Sequence, residues 1–149
     1  MRINKWLILA FIGVSLAGFL DAAYLTAAHY SNEIPPCSIT QGCEEVTTSK
    51  YAEIFNVPVA LTGVVYYLTV FLLSVYYFDS RKDFALKYLL AIPVLGFVAS
   101  AWFVYVQVHI LDAICLYCMF SAFTSASLLV LGVAVIVSNR FFGLGTQEK

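Results

Sequence analysis

Residues 113–138 read AICLYCMFSAFTSASLLVLGVAVIVS, an uncharged apolar run headed by a Cys-x-x-Cys pair, Cys115 and Cys118. A helix needs about 20 mostly apolar residues to cross roughly 30 Å of hydrocarbon, so this stretch is long enough to span a bilayer. Three others share its character: Trp6–His29, Pro58–Phe78 and Tyr88–Ile110. The composition agrees, because 62% of the 149 residues are hydrophobic and 11% charged, whereas soluble domains sit near about 45–50% and about 25%. The sequence therefore predicts one all-α integral membrane domain over residues 1–149, a four-transmembrane-helix bundle. Its connections are an exterior loop at 30–57, a short charged segment at Asp79–Lys87 and a tight turn at His109–Asp112. Only the first is long enough to carry structure of its own.

Arg2 and Lys5 precede an apolar run that reaches the small residues Ala22 and Ala23, the outline of a secretory signal. The apolar character continues through Tyr24–Ala28, longer than a signal requires, so the first span is read as a retained helix. Lys and Arg gather on cytoplasmic flanks. Arg2, Lys5, Arg81, Lys82, Lys87, Arg140 and Lys149 fall on one side and Lys50 alone on the other. Both termini are then expected in the cytoplasm, with the 30–57 loop and the 109–112 turn on the exterior face. A net charge of −1 supplies no basic field for nucleic acid.

All four cysteines fall on that exterior side: Cys37 and Cys43 in the loop, Cys115 and Cys118 where the fourth span begins. Disulfides persist in such oxidising compartments, and four cysteines allow three pairings that sequence alone does not rank. Asp112 is placed to cap the fourth helix, which would set Cys115 among unpaired amides that favour a thiolate. Cys118 lies on the same helix face, about 4.5 Å deeper at about 1.5 Å of rise per residue. One cysteine would then meet the water interface and the other the membrane interior. Such a pair can pass electrons from an aqueous thiol to a lipid-soluble acceptor. Cys37 follows Pro35-Pro36, which favours an extended path, and Cys43 follows Gly42, which permits a tight turn. Glu44 and Glu45 disfavour a thiolate at Cys43. A four-thiolate zinc site is the competing use of the set, but the six-residue spacing of the loop pair is unlike a zinc knuckle. Two purely structural disulfides are another. A Cys-x-x-Cys bridge within one helix is strained and labile, which suits redox exchange better than stapling.

Other residues are candidates for the acceptor pocket or for proton transfer. Asp21 sits inside the first span, where a charge is costly and marks function by default; a hydroxyl or His109 would be its structural partner. His29 and His109 lie near the exterior boundary, where an imidazole can exchange protons. In Ser49–Asn56, Tyr51, Ile54 and Phe55 fall at i, i+3 and i+4, with Ser49 as a cap. This predicts a short interfacial helix in the exterior loop, lidding a pocket or anchoring at the membrane surface.

With the segments Leu20-Asp21-Ala22-Ala23-Tyr24-Leu25-Thr26, Cys37-Ser38-Ile39-Thr40-Gln41-Gly42-Cys43-Glu44, Ser49-Lys50-Tyr51-Ala52, Phe55-Asn56-Val57-Pro58 and Cys115-Leu116-Tyr117-Cys118, the chain resembles the vitamin K epoxide reductase family in its short bacterial form. The resemblance implies a four-helix bundle around a quinone, ubiquinone or menaquinone, and no metal. It implies that Cys37 faces a thioredoxin-fold partner, Cys43 shuttles to Cys115, and Cys118 meets the quinone, with Ser49 as the family's loop hydroxyl. Many bacterial relatives carry a fused thioredoxin-like domain; the chain stops at Lys149, so a separate exterior partner is expected. The Asn and Tyr with which vertebrate members bind the quinone carbonyls correspond to Val59 and Ala122, which supply no such hydrogen bonds. The reading is a thiol:quinone oxidoreductase of the bacterial inner membrane supporting disulfide formation in exported proteins. Two alternatives stand beside it. The disulfide-bond-forming protein B family places its cysteine pairs in the reverse order along the chain, and a non-catalytic four-span protein would use the cysteines for structure or metal.

Overall fold

The structure, a computed structural model, describes residues 4–33, 36 and 42–144. In chain order it has α1 (Lys5–Ser31), α2 (Gly42–Thr48), β1 (Glu53–Ile54), β2 (Val57–Pro58), α3 (Val59–Ser80), α4 (Asp83–His109) and α5 (Leu116–Leu144). Four helices, α1, α3, α4 and α5, are long and apolar enough to cross a membrane. Asn4 starts α1, its side chain accepting from the Trp6 N–H at 3.4 Å, and Asn32 ends it in the left-handed region at φ 52°. Arg81 ends α3 in the same way at φ 51°. The chain re-enters helix at Asp83, earlier than the expected Tyr88, because Ala85 and Leu86 bury themselves against the bundle. Most of the expected charged connection is thus helical.

α1 packs against α3 and α5, and α4 packs against the same two, so the helices stand at the corners of a square. Their shared core draws on Ile8 and Phe11 of α1, Val70 and Tyr77 of α3, Leu86 and Leu89 of α4, and Leu128 and Val135 of α5. These positions belong to the half of the bundle holding the α1 start and the α3–α4 connection. Large apolar side chains such as Val98, Phe123 and Val130 are exposed on the outside, the surface that hydrocarbon would cover. Tyr67 ties α3 to α5: its hydroxyl donates to the Ser121 carbonyl at 2.6 Å and lies 2.8 Å from Thr124 Oγ1. Such links join spanning helices where water is absent. Gly18 on α1 and Gly96 on α4 leave room for the Tyr67 and Tyr66 rings, which any side chain there would strike.

The exterior loop departs from expectation. The short helix lies at Gly42–Thr48, whereas 49–56 holds a turn and a two-stranded hairpin pairing Glu53 with Pro58 and Ile54 with Val57. Phe55 and Asn56 both have positive φ, 54° and 62°, which closes the hairpin in the manner of a type I′ turn. The i, i+3, i+4 spacing in this stretch is real, but the asparagine's tolerance of left-handed backbone and the proline after Val57 favour the turn.

Candidate functional site

The α4–α5 connection is built on Gln107. Its backbone carbonyl accepts from the Ala113 N–H at 3.1 Å, and its side-chain Oε1 accepts from the Cys115 N–H at 3.0 Å. The expected cap, Asp112, instead occupies a left-handed turn at φ 48°. α5 begins at Leu116, and Met119 N–H donates to the Cys115 carbonyl at 3.0 Å. Cys115 therefore stands just before the first turn, fixed by a glutamine that the sequence reading passed over. A buried Gln near the end of a span, eight residues before the Cys-x-x-Cys, was the available signal.

Gly42 carries α2 into contact with this connection. A Cβ there would lie 2.7 Å from Ile114 N and 2.8 Å from Ile114 O, so only glycine lets the two backbones approach this closely. Cys43, Val46, Ala113 and Cys115 consequently form one buried cluster, against which Leu111, Tyr117 and Cys118 pack. Cys43 and Cys115 are brought together from segments far apart in the chain. Cys43 is engaged in a disulfide, whereas Cys115 and Cys118 are thiols. Cys37 lies outside the described residues. The Tyr117 hydroxyl reaches the Pro36 carbonyl at 3.4 Å, and its ring packs on Tyr24 of α1 with centroids 5.4 Å apart.

Cys115 is 0% exposed, which corrects the expectation that it faces the water interface: α2 covers it. The Cys118 thiol hydrogen-bonds to its sulfur and lowers it from the ordinary value to about 7; burial opposes this, the N–H groups of Cys118 and Tyr117 assist, and the Asp21 charge opposes. The thiolate is thus favoured at Cys115, chiefly through its partner thiol rather than through the helix end. Asp21 exerts this charge from α1. Its Oδ2 is buried and has no hydrogen-bond partner among the described residues, so the expected pairing with His109 or a hydroxyl is not made.

Cys118 opens onto a cavity of about 1070 Å³ that extends from beneath the exterior loop to Tyr66 and Gly96 at the middle of the bundle. Its walls include Leu25, Val59, Leu95, Phe103 and Ala122, a mainly apolar lining of the size that holds a small organic ligand. Four of the expected pocket residues line it: His29, Ser49, Tyr51 and Phe55. His29 Nε2 lies 3.2 Å from Glu53 Oε1, linking α1 to the hairpin. The Ser49 hydroxyl donates to the Val46 carbonyl at 2.9 Å. Phe55, at the hairpin tip, is 98% exposed and stands on the rim instead of lidding the cavity. The pocket half of the expectation for His109 is corrected: the residue is exposed, stacks on Tyr105 with ring centroids 4.7 Å apart, and is not part of the cavity wall. The spacing of α4 accounts for this, since His109 lies two residues beyond Gln107 and so on another face.

Fold and site together define a four-span membrane protein in which a loop cysteine is packed onto a Cys-x-x-Cys at the mouth of a cavity within the bundle. The chain belongs to the vitamin K epoxide reductase family, whose model matches residues 9–133. It is 35% identical over 122 residues to the thiol-disulfide oxidoreductase LTO1 of Arabidopsis thaliana. The match covers 76% of this chain and 32% of LTO1, so the chain spans about a third of that relative's length.

Proposed function

We propose that the protein is a membrane thiol:quinone oxidoreductase of the bacterial inner membrane, with both termini cytoplasmic and its cysteines on the exterior side. A thioredoxin-fold donor in the exterior compartment passes a dithiol's electrons to Cys37 and Cys43. Cys43 then exchanges with Cys115, and the Cys115–Cys118 pair delivers the electrons to ubiquinone or menaquinone. Each exchange breaks one S–S bond and forms another through a thiolate, and the proton follows the departing sulfur. In the last step the two thiols of Cys115 and Cys118 join in a disulfide, and their two electrons and two protons convert a quinone to a quinol. The donor is thereby reoxidised for disulfide formation in exported proteins.

The observation that carries this reading is the shared burial of Cys43 and Cys115 beside a Cys118 that opens on an apolar cavity. The cavity suits a quinone ring with part of its isoprenoid tail, because it is apolar and begins at the reacting sulfur. The chain's own residues set the order: α2 brings Cys43 to Cys115, and the buried position of the pair excludes bulk water from Cys118. The test is a coupled assay in lipid nanodiscs with a small dithiol and a soluble quinone, followed by mass mapping of the cysteines. Quinone loss in step with dithiol oxidation is expected, with Cys115–Cys118 alternating between thiols and disulfide. A cysteine pattern that stays fixed through dithiol and quinone treatment would refute the proposal.

A further inference from the structure

Gln107 is 2% exposed, yet it forms part of the cavity wall beside Cys118. Its amide is oriented without ambiguity, because the Cys115 backbone N–H can only donate and must face the amide oxygen, at 3.0 Å. The amino group, Nε2, is left on the opposite edge of the same amide. Among the described residues its two hydrogens have no partner, although the residue lines the cavity. Four hydroxyls of the cavity wall have no hydrogen to spare, and the unpaired Tyr66 hydroxyl lies deeper, at the middle of the bundle. Ser49 donates to Val46, Thr62 to Val59, Thr47 to Cys43 and Tyr67 to Ser121, each to a backbone carbonyl. Ser100, on the same helix, lies seven residues earlier, about 10 Å deeper at about 1.5 Å per residue.

We infer that Gln107 is the hydrogen-bond donor that recognises a carbonyl oxygen of the electron acceptor and holds that carbonyl against Cys118. The inference rests on the quinone reading above and adds to it the group that selects and orients the acceptor. One side chain then serves both partners of the final step: the oxygen fixes the backbone of Cys115, and the nitrogen fixes the ring to be reduced. As the ring gains electrons its oxygen gains negative charge, so this hydrogen bond strengthens along the reaction. The acceptor class is narrowed accordingly to flat apolar rings bearing an exposed carbonyl.

The test is an equilibrium titration of the fully oxidised protein in nanodiscs, where no thiol can react, with two probes. One is a naphthoquinone methylated at both free carbons of its quinone ring; the other is the matching dimethylnaphthalene, which has no carbonyl. The native protein is expected to prefer the quinone. Gln107→Met should weaken quinone binding about tenfold, the worth of one such hydrogen bond, and leave hydrocarbon binding unchanged. Gln107→Glu retains an oxygen for Cys115 and provides the control for folding: its quinone affinity should be low while the carboxylate is ionised and recover on acidification, when the carboxyl O–H can donate. An equal loss for both probes in Gln107→Met, or no pH dependence in Gln107→Glu, would overturn the inference and leave the quinone reading standing. A native protein that fails to prefer the quinone would overturn both.

Discussion

Replacing Gly42 with alanine tests the geometry on which the relay depends. The added methyl would sit 2.7 Å from Ile114 N, about 0.7 Å inside the 3.4 Å at which ordinary van der Waals contact begins. Both neighbours are backbone, and Ile114 is held between Ala113 and Cys115, whose N–H groups are bound to Gln107. The connection cannot yield without breaking those bonds, so α2 must move instead and carry Cys43 away from Cys115. Overpacking of this kind costs about 1–3 kcal/mol, and a misplacement near 1 Å between reacting groups costs on the order of 100-fold in rate. Gly42→Ala is therefore expected to fold, with a lowered unfolding temperature, and to slow Cys43–Cys115 exchange about 100-fold. The assay uses a Cys37→Ala, Cys118→Ala background in which Cys43 is first joined to a small aromatic thiol by reaction with its symmetric disulfide; Cys115 attacks Cys43, the Cys43–Cys115 disulfide forms and the aromatic thiol departs, and its release is followed over time with and without Gly42→Ala. Release at the same rate in both would refute the claim that α2 is seated by this glycine.

The other outcomes are as concrete. Cys115→Ala and Cys118→Ala should each abolish quinone reduction even with a small dithiol, whereas Cys37→Ala should impair mainly the reaction with a protein donor; identical behaviour of Cys37→Ala and Cys118→Ala with the dithiol would break the order of the relay. The ultraviolet thiolate absorbance of the reduced protein should rise through a midpoint at about 7 as Cys115 ionises. In Cys118→Ala the midpoint should move to higher pH, because the thiol that stabilises the anion is gone; an unmoved midpoint would assign the effect to the helix end. Tyr67→Phe removes the α3–α5 hydrogen bonds to Ser121 and Thr124 and should cost about 0.5–1.5 kcal/mol, seen as a modest fall in unfolding temperature with the quinone reaction retained.

The four spans were legible because hydrocarbon imposes one requirement on length and polarity, and composition alone meets or fails it. The cysteine positions were legible for a similar reason, since Cys115 and Cys118 stand at a span boundary whatever the loops do. Local spacing misled where backbone chemistry competes with it. In Tyr51–Asn56 the apolar spacing fits a helix, but consecutive left-handed residues at Phe55 and Asn56 make a hairpin. Asp112 has the right side chain to cap α5, but its left-handed backbone ends the previous turn instead. His109 and Gln107 are two residues apart, and only the rotation of α4 decides which of them faces the cavity. Rotation is not encoded in a helix whose outer and inner faces are both apolar, as here, because lipid and core ask for the same side chains.

The same absence of polarity makes the few polar groups within the bundle informative. At the inner half, Ser15 and Ser74 turn their hydroxyls onto the carbonyls of Phe11 and Val70 one turn earlier, and Ile8, Phe11, Tyr77 and Leu89 fill the space between the helices. Among the described residues no buried side-chain polar atom is left unpaired there, and the packing fixes the four axes. At the outer half, among the described residues, three buried polar atoms have no partner: Asp21 Oδ2, the Tyr66 hydroxyl and the Ser125 hydroxyl. Leaving a buried polar atom unpaired costs about 1–3 kcal/mol, so a sequence under selection for stability alone would have replaced them. The Asp21 charge opposes a thiolate at Cys115, so an unpaired carboxyl inside the first span bears on the thiol pair as well as on stability. A tightly packed inner half and a hollow outer half thus divide the labour, the first holding the frame against which the second can keep its thiols, its carboxylate and its amide in place.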